Sequence, residues 1–189
     1  MESALGSIVG VAWVLVVSSS AVAAEDPVTI ADAGASRAAV IVAADASEPE
    51  KHAAAELAGF LGQVTGGTFA VANTAETGSA RLLVGPGAAK LADPSFTTEG
   101  LGEEGLILRT IGRDVILAGG RPRGTLYAVY TFLEDPVGCR WWSSKVSTIP
   151  KRPTLRVGPL NVRFVPALEY RESFWFDAFD GDWAARNRC

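Results

Sequence analysis

What this chain has little of narrows it first: its 189 residues include two cysteines, one histidine and one methionine. Two cysteines are too few for the disulfide framework that braces small secreted domains. Cys139, between Gly138 and the run Arg140-Trp141-Trp142, reads as a small buried thiol, and Cys189 is terminal. The lone His52 supplies by itself neither a metal site nor the base of a Ser-His triad, and in the first turn of an expected helix it reads as solvated. Basic charge is scarce too. Against 21 Asp and Glu stand 17 Lys and Arg, a formal net charge of -4, and charges of both signs are interspersed from Glu48 to Arg188. That pattern is a solvated surface and excludes a nucleic-acid footprint, which gathers basic residues on one face. There is no internal repeat and no low-complexity tract. With 48% apolar and 20% charged residues the composition is that of a globular protein, one domain plus a remainder.

The N-terminus also lacks something. Met1-Glu2-Ser3 carries none of the Lys or Arg that orients an export segment, yet the other parts of one follow. Ala4 to Val17 is uncharged and mostly apolar, Ser18 to Ser20 break it, and Ala21-Val22-Ala23-Ala24 offers the small residues of a cleavage site ahead of Glu25-Asp26-Pro27. The expectation is a signal peptide over 1–24 and export to the periplasm or beyond, with membrane contact through this segment alone. The competing expectation is an uncleaved anchor, since residues 4–24 approach the roughly 20 that span a bilayer.

Strand and helix signals alternate through the rest. Arg37 to Ala44 is a continuous apolar strand of the kind buried on both faces. Ser47 with Glu50 forms a capping box, and Ala53, Leu57, Phe60, Leu61 and Val64 recur at helical spacing until Gly66-Gly67 stops the helix. Thr68 to Ala72 and Arg81 to Gly85 read as strands. Leu106 to Ile111 and Asp114 to Ala118 flank Gly112-Arg113 and read as an antiparallel hairpin. Thr125 to Glu134 is a second helix, stopped by Pro136 and Gly138. This order predicts an α+β fold, a mixed sheet with two main helices packed on it. The expected organisation is an α+β domain over 25–148, a connector over 149–166 stiffened by prolines 150, 153, 159 and 166, and a final unit over 167–189. Prolines forbid a central strand in the connector.

The pairing of Ala53–Gly67 with Arg81–Gly85, then Gly119–Asp135 (GGRPRGTLYAVYTFLED) and Gly138–Trp142 (GCRWW), resembles the non-catalytic N-terminal domain of glycoside hydrolase family 67 alpha-glucuronidases. It is similar also to the second domain of beta-hexosaminidases, and to large secreted bacterial proteins that carry this domain ahead of a (β/α)8 barrel. The resemblance runs from about Ala31 to Arg188. It implies that Glu169 to Arg188 is the first strand and following loop of an incomplete barrel, and that the substrate of the parent protein is a polysaccharide or oligosaccharide.

Glycoside hydrolysis needs two carboxyl groups across the scissile bond, about 5 to 5.5 Å apart for retention and wider for inversion. In a barrel these come from the ends of several strands. Glu169, Glu172, Asp177, Asp180 and Asp182 are numerous enough, but one strand cannot present such a pair, so no catalytic residue is assigned. The resemblance places Arg171 where beta-hexosaminidases carry an arginine on the first barrel strand that holds sugar hydroxyls. Its planar fork suits vicinal hydroxyls or a uronate, and Trp175 and Trp183 suit stacking on a sugar face. The bland alternative pairs Arg171 with Glu169 or Glu172 and turns the aromatics inward. Gly119 to Gly124 lacks both the Gly-Lys-Ser/Thr ending of a phosphate loop and dinucleotide-site spacing, and reads as a turn that aims the second helix. Asp177, Asp180 and Asp182 miss the ligand spacing of an EF-hand, so neither metal nor cofactor is expected. Two functions remain open: the N-terminal piece of an exported carbohydrate-active hydrolase, inactive alone, or a stand-alone module that binds polysaccharide or protein through its aromatic tail.

Overall fold

The computed structural model describes residues 26–74, 79–171 and 173–189. The expected signal or anchor segment over 1–24 and the carboxylate of Glu172 therefore lie outside the described residues. No described helix is long and apolar enough to cross a membrane.

The main sheet has six strands. At its centre β3 (Ala38–Val42), β5 (Ala80–Val84) and β7 (Asp114–Gly119) run parallel, with β4 (Val71–Ala72) outside β3. On the other side β6 (Leu106–Ile111) pairs antiparallel with β7 across the expected Gly112-Arg113 hairpin, and β11 (Asn161–Phe164) closes the edge against β6. A smaller three-stranded sheet places β1 (Val28–Asp32) between β2 (Ala35–Ser36) and β10 (Leu155–Val157). A short ribbon joins β8 (Arg140–Trp141) to β9 (Ser147–Thr148).

The central strands are apolar without alternation because both faces of the sheet are covered. Val40, Val42, Leu82, Val84, Leu108 and Leu117 share one core with α1 (Glu48–Thr65) and α3 (Gly124–Glu134), the two expected helices. The intervening Ile41, Leu83, Ile107 and Ile116 meet α2 (Pro86–Ala89), Phe96 and Leu101 on the other face. Each such side chain, removed from water, is worth about 1.5–3 kcal/mol. The ends of α1 are set as its sequence dictates. The Glu50 carboxylate reaches back to accept the Ser47 N–H at 2.9 Å, and Gly66, at φ 81°, donates to the Gly62 carbonyl.

Three expectations change. The segment over 149–166 is no free connector: its proline-free stretches supply β10, with Leu155 and Val157 buried, and β11. Both strands lie at sheet edges, where a nearby proline removes no ladder hydrogen bond. Thr68 to Ala72 shortens to the two residues of β4. The strand expected from Glu169 onward does not form among the described residues, because no neighbouring strand pairs with it. It gives way to a 3-10 turn, Phe176–Phe179, and to α4 (Gly181–Arg186).

Candidate functional site

The Gly119–Gly124 turn is a steric device. A Cβ on Gly119 would lie 2.3 Å from the Gly124 carbonyl carbon, and one on Gly124 would lie 2.4 Å from the Gly105 oxygen. The end of β7, the start of α3 and the loop before β6 thus meet backbone to backbone. The first N–H groups of the helix are already taken: Arg123 and Gly124 both donate to the Glu103 carbonyl, at 3.2 and 2.9 Å. These bonds tie the turn to the loop before β6, and the turn aims α3 as its sequence implied.

That turn is also one wall of the seam on which the tail lies. The loop before β6 offers Glu104, whose carboxylate sits between Arg123, at 2.6 Å, and Arg171, with which it forms a close ion pair. Arg171 also donates to the Leu168 carbonyl at 2.7 Å. Its partner is therefore Glu104, not the neighbouring Glu169. A cleft of about 290 Å³ runs between Glu104, Arg123 and tail residues Glu169 to Arg171.

Further along, α4 docks on the helix layer. Asp180 caps it by accepting the Trp183 N–H at 2.8 Å, and the Trp183 indole donates to the Trp141 carbonyl at 3.0 Å. Arg186 pairs with Glu56 of α1 at 3.0 Å and lies 5.3 Å above the Phe60 ring. Glu56 accepts from Tyr130 as well, at 2.9 Å; burial first, then this carboxylate, holds the phenol well above its usual range. Arg188 pairs with Glu134. The tail is thus anchored on one side by ion pairs and by Trp183, which packs against the main core.

Its other side is bare. Phe174, Trp175, Phe176 and Phe179 are 95, 61, 83 and 70% exposed, with Leu168 and Tyr170 exposed beside them. Phe174 and Phe179 meet edge to face at 5.8 Å. Trp175 is steadied by its indole N–H on Asp177 at 3.0 Å, which leaves its ring in water.

Of the three residues proposed for sugar contact, Arg171 is held by Glu104 and Trp183 by Trp141, and Trp175 alone presents its ring outward. The tail carboxylates are mostly engaged. Asp177 accepts from the Ser144 hydroxyl at 2.7 Å and backbone at 2.8 Å, bonds that hold it below its ordinary value. Asp180 is the cap of α4, Asp182 lies 3.6 Å from Arg186, and Glu169 is exposed. Among the described residues no group of three or more His, Cys, Asp or Glu is placed to hold a metal. His52 is exposed and Cys139 buried. The residues that sequence reasoning missed are Glu56, Glu104 and Glu134, the three carboxylates that seat the tail. The adjacent Glu103-Glu104 pair was visible, but its partners lie far along the chain.

Comparison with known proteins fits this architecture. No curated protein matches the sequence. Among solved structures, a family GH115 4-O-methyl-alpha-glucuronidase with specificity for decorated arabinogalactans superposes with a TM-score of 0.55 at 17% identity, covering 73% of this chain and 18% of that one. A mutant Streptomyces plicatus beta-hexosaminidase in complex with its product GlcNAc superposes with a TM-score of 0.50 at 16% identity, covering 78% of this chain and 25% of that one. At such identities the likeness is one of fold, and the chain spans a quarter or less of either protein. The profile described as glycosyl hydrolase family 67 N-terminus matches residues 27–132. With more than half of its residues so matched, the chain belongs to the glycosyl hydrolase family 67 N-terminus family.

Proposed function

We propose that this chain is the N-terminal accessory domain of an exported carbohydrate-active glycoside hydrolase, alpha-glucuronidase-like or hexosaminidase-like, and that its bare aromatic face seats against the catalytic barrel. The observation that carries this reading is the row Phe174, Trp175, Phe176 and Phe179, in water on a segment whose opposite side is tied to the domain. Soluble proteins seldom leave a contiguous apolar patch uncovered unless something binds there. Export rests on the signal-like pattern of residues 1–24. Polysaccharide or oligosaccharide is met through the barrel. The chain alone is inactive, since catalysis needs two facing carboxyl groups, and Asp180, Asp177 and Asp182 serve as cap, loop anchor and ion-pair partner.

A second reading, a stand-alone module that binds polysaccharide or a partner protein through the same face, is favoured by Trp175, held edge-on by Asp177 with its ring free to stack. The first measurement is the genomic sequence downstream of the Cys189 codon, alongside an assay of this chain on aryl glycosides. A frame that continues into strand and helix repeats with carboxylates at strand ends, together with no hydrolysis by this chain, supports the accessory domain. A stop codon followed by unrelated sequence transfers the case to the binding module, and Trp175→Ala then abolishes its glycan affinity. Hydrolysis by this chain alone overturns both.

A further inference from the structure

Arginines on this domain are mostly bound to partners: Arg81 to Asp114, Arg109 to Asp93, Arg121 to Glu50, and Arg123, Arg171, Arg186 and Arg188 as described. Four others are not: Arg152 stands apart, and the other three lie together. Arg37, Arg113 and Arg156 are exposed, and among the described residues their side chains enter no hydrogen bond or ion pair. All three line one open groove of about 670 Å³. The fold brings them there from distant positions. Arg37 stands just ahead of β3, Arg113 is at the hairpin tip ahead of β7, and Arg156 lies opposite Thr29 in the β1–β10 pairing. The groove therefore runs along the starting ends of the parallel strands, between the two sheets. It has no residue in common with the seam under the tail.

From this we infer that the groove binds an acidic polysaccharide, with the three guanidinium groups taking its carboxylate or sulfate groups. The volume is that of a ligand site, about 300–1,000 Å³, and its open form suits a chain that passes through. Unpaired guanidinium forks are weakly hydrated and match an oxyanion in two parallel hydrogen bonds, so the site is ready without breaking an internal ion pair. The rest of the lining favours a sugar over a nucleic acid. Asp26, Asp32 and Thr29 stand among the arginines. Carboxylates and the threonine hydroxyl there accept hydrogen bonds from ring hydroxyls, which a polysaccharide carries on every residue and a DNA backbone does not. Asp32 is held by the Thr154 hydroxyl at 3.3 Å, and this fixes one such acceptor at the wall. This inference does not rest on the proposed accessory role, since it concerns the opposite region of the domain and holds with or without a barrel.

The test is affinity electrophoresis of the full chain through gels containing polygalacturonate, dextran sulfate, a neutral xylan or single-stranded DNA. The expected result is retardation by one or both acidic glycans and not by xylan, lost when salt is raised to about 0.5 M and the Debye length falls toward 4 Å. Each of Arg37→Ala, Arg113→Ala and Arg156→Ala weakens binding about three- to tenfold, the scale of one exposed charge-assisted contact, and the triple variant abolishes it. Arg152→Ala, an exposed arginine outside the groove, leaves it unchanged. Retardation by polygalacturonate assigns the site to carboxylates, and retardation by dextran sulfate alone assigns it to sulfates. The inference is overturned by no retardation in either acidic gel, by equal retardation of the triple variant with an unaltered melting temperature, or by DNA binding as tight as glycan binding.

Discussion

Replacing Gly120 by alanine puts the backbone contact at the head of α3 to a direct test. The new Cβ would stand 1.6 Å from the Gly102 oxygen and 2.8 Å from its carbonyl carbon. Real Cβ atoms essentially never come within 3.0 Å of a neighbour, so the two backbone segments must part by about 1.4 Å, the difference between those distances. Neither side can yield cheaply, because both are backbone. Gly120 donates to Gly105 and accepts from Gly124, and the peptide after Gly102 leads into the Glu103 carbonyl that takes two N–H groups of α3. Losing two of these bonds at about 1 kcal/mol each, with at least 1 kcal/mol of overpacking strain, gives about 3 kcal/mol. For a domain of this size that lowers Tm by about 10 °C. The matched control is Gly59→Ala, on the exposed face of α1 with nothing within 4 Å of the added carbon, which raises Tm by about 2 °C through helix propensity. Thermal unfolding followed by circular dichroism reads both. A Gly120→Ala protein melting within about 2 °C of its parent would refute the steric account of this turn.

The remaining predictions concern the thiols and the tail. Burial pushes the Cys139 thiol up to about 11, so at pH 8 it stays protonated and unreactive; iodoacetamide then labels native protein once, at Cys189, and mass spectrometry finding Cys139 labelled without unfolding refutes this. Arg186→Ala leaves Glu56 to Tyr130 alone and removes the cation over Phe60, so α4 detaches more often and limited proteolysis after residue 180 speeds up several-fold; an unchanged rate would mean that Trp183 holds the tail by itself. Asp177 is held below the ordinary carboxylate range by Ser144, so its contribution is full above the unfolded carboxyl value and is lost only as pH falls through the lower folded one. The Ser144 amide therefore stays protected from hydrogen exchange at pH 5 and loses protection at lower pH, and Asp177→Asn removes that pH dependence.

The α+β domain was legible because its signals are local. Ser47, Glu50 and Gly66 delimit α1 within a few residues of chain, and the apolar period marks its core face. Strands β3, β5, β6 and β7 announce themselves by β-branched runs and a two-residue hairpin. Where the pairing is long-range, the pattern was silent. Strand β1 turns into the two residues of β2 through Ala33-Gly34, too short a hairpin to stand out in the pattern, and its other partner β10 lies more than 120 residues away, behind prolines that read as linker. The glycines of the 119–124 turn were noticed, yet their reason, contact with Gly102 and Gly105, exists only in three dimensions.

The tail shows the same division at the candidate site. Its aromatic content was plain in sequence, and so was its want of a core of its own. What the sequence could not convey is how it attaches: Arg171, Arg186 and Arg188 reach Glu104, Glu56 and Glu134 on three separate elements, while Trp183 alone brings a large apolar surface inward. Ion pairs at partly exposed sites are individually weak, so three of them do little to strengthen the hold but much to fix its orientation. Attachment of that kind keeps Phe174, Trp175, Phe176 and Phe179 pointing away from the domain. Had those four rings turned inward instead, the tail would have been held more tightly and no face would be left for a barrel or a glycan to cover.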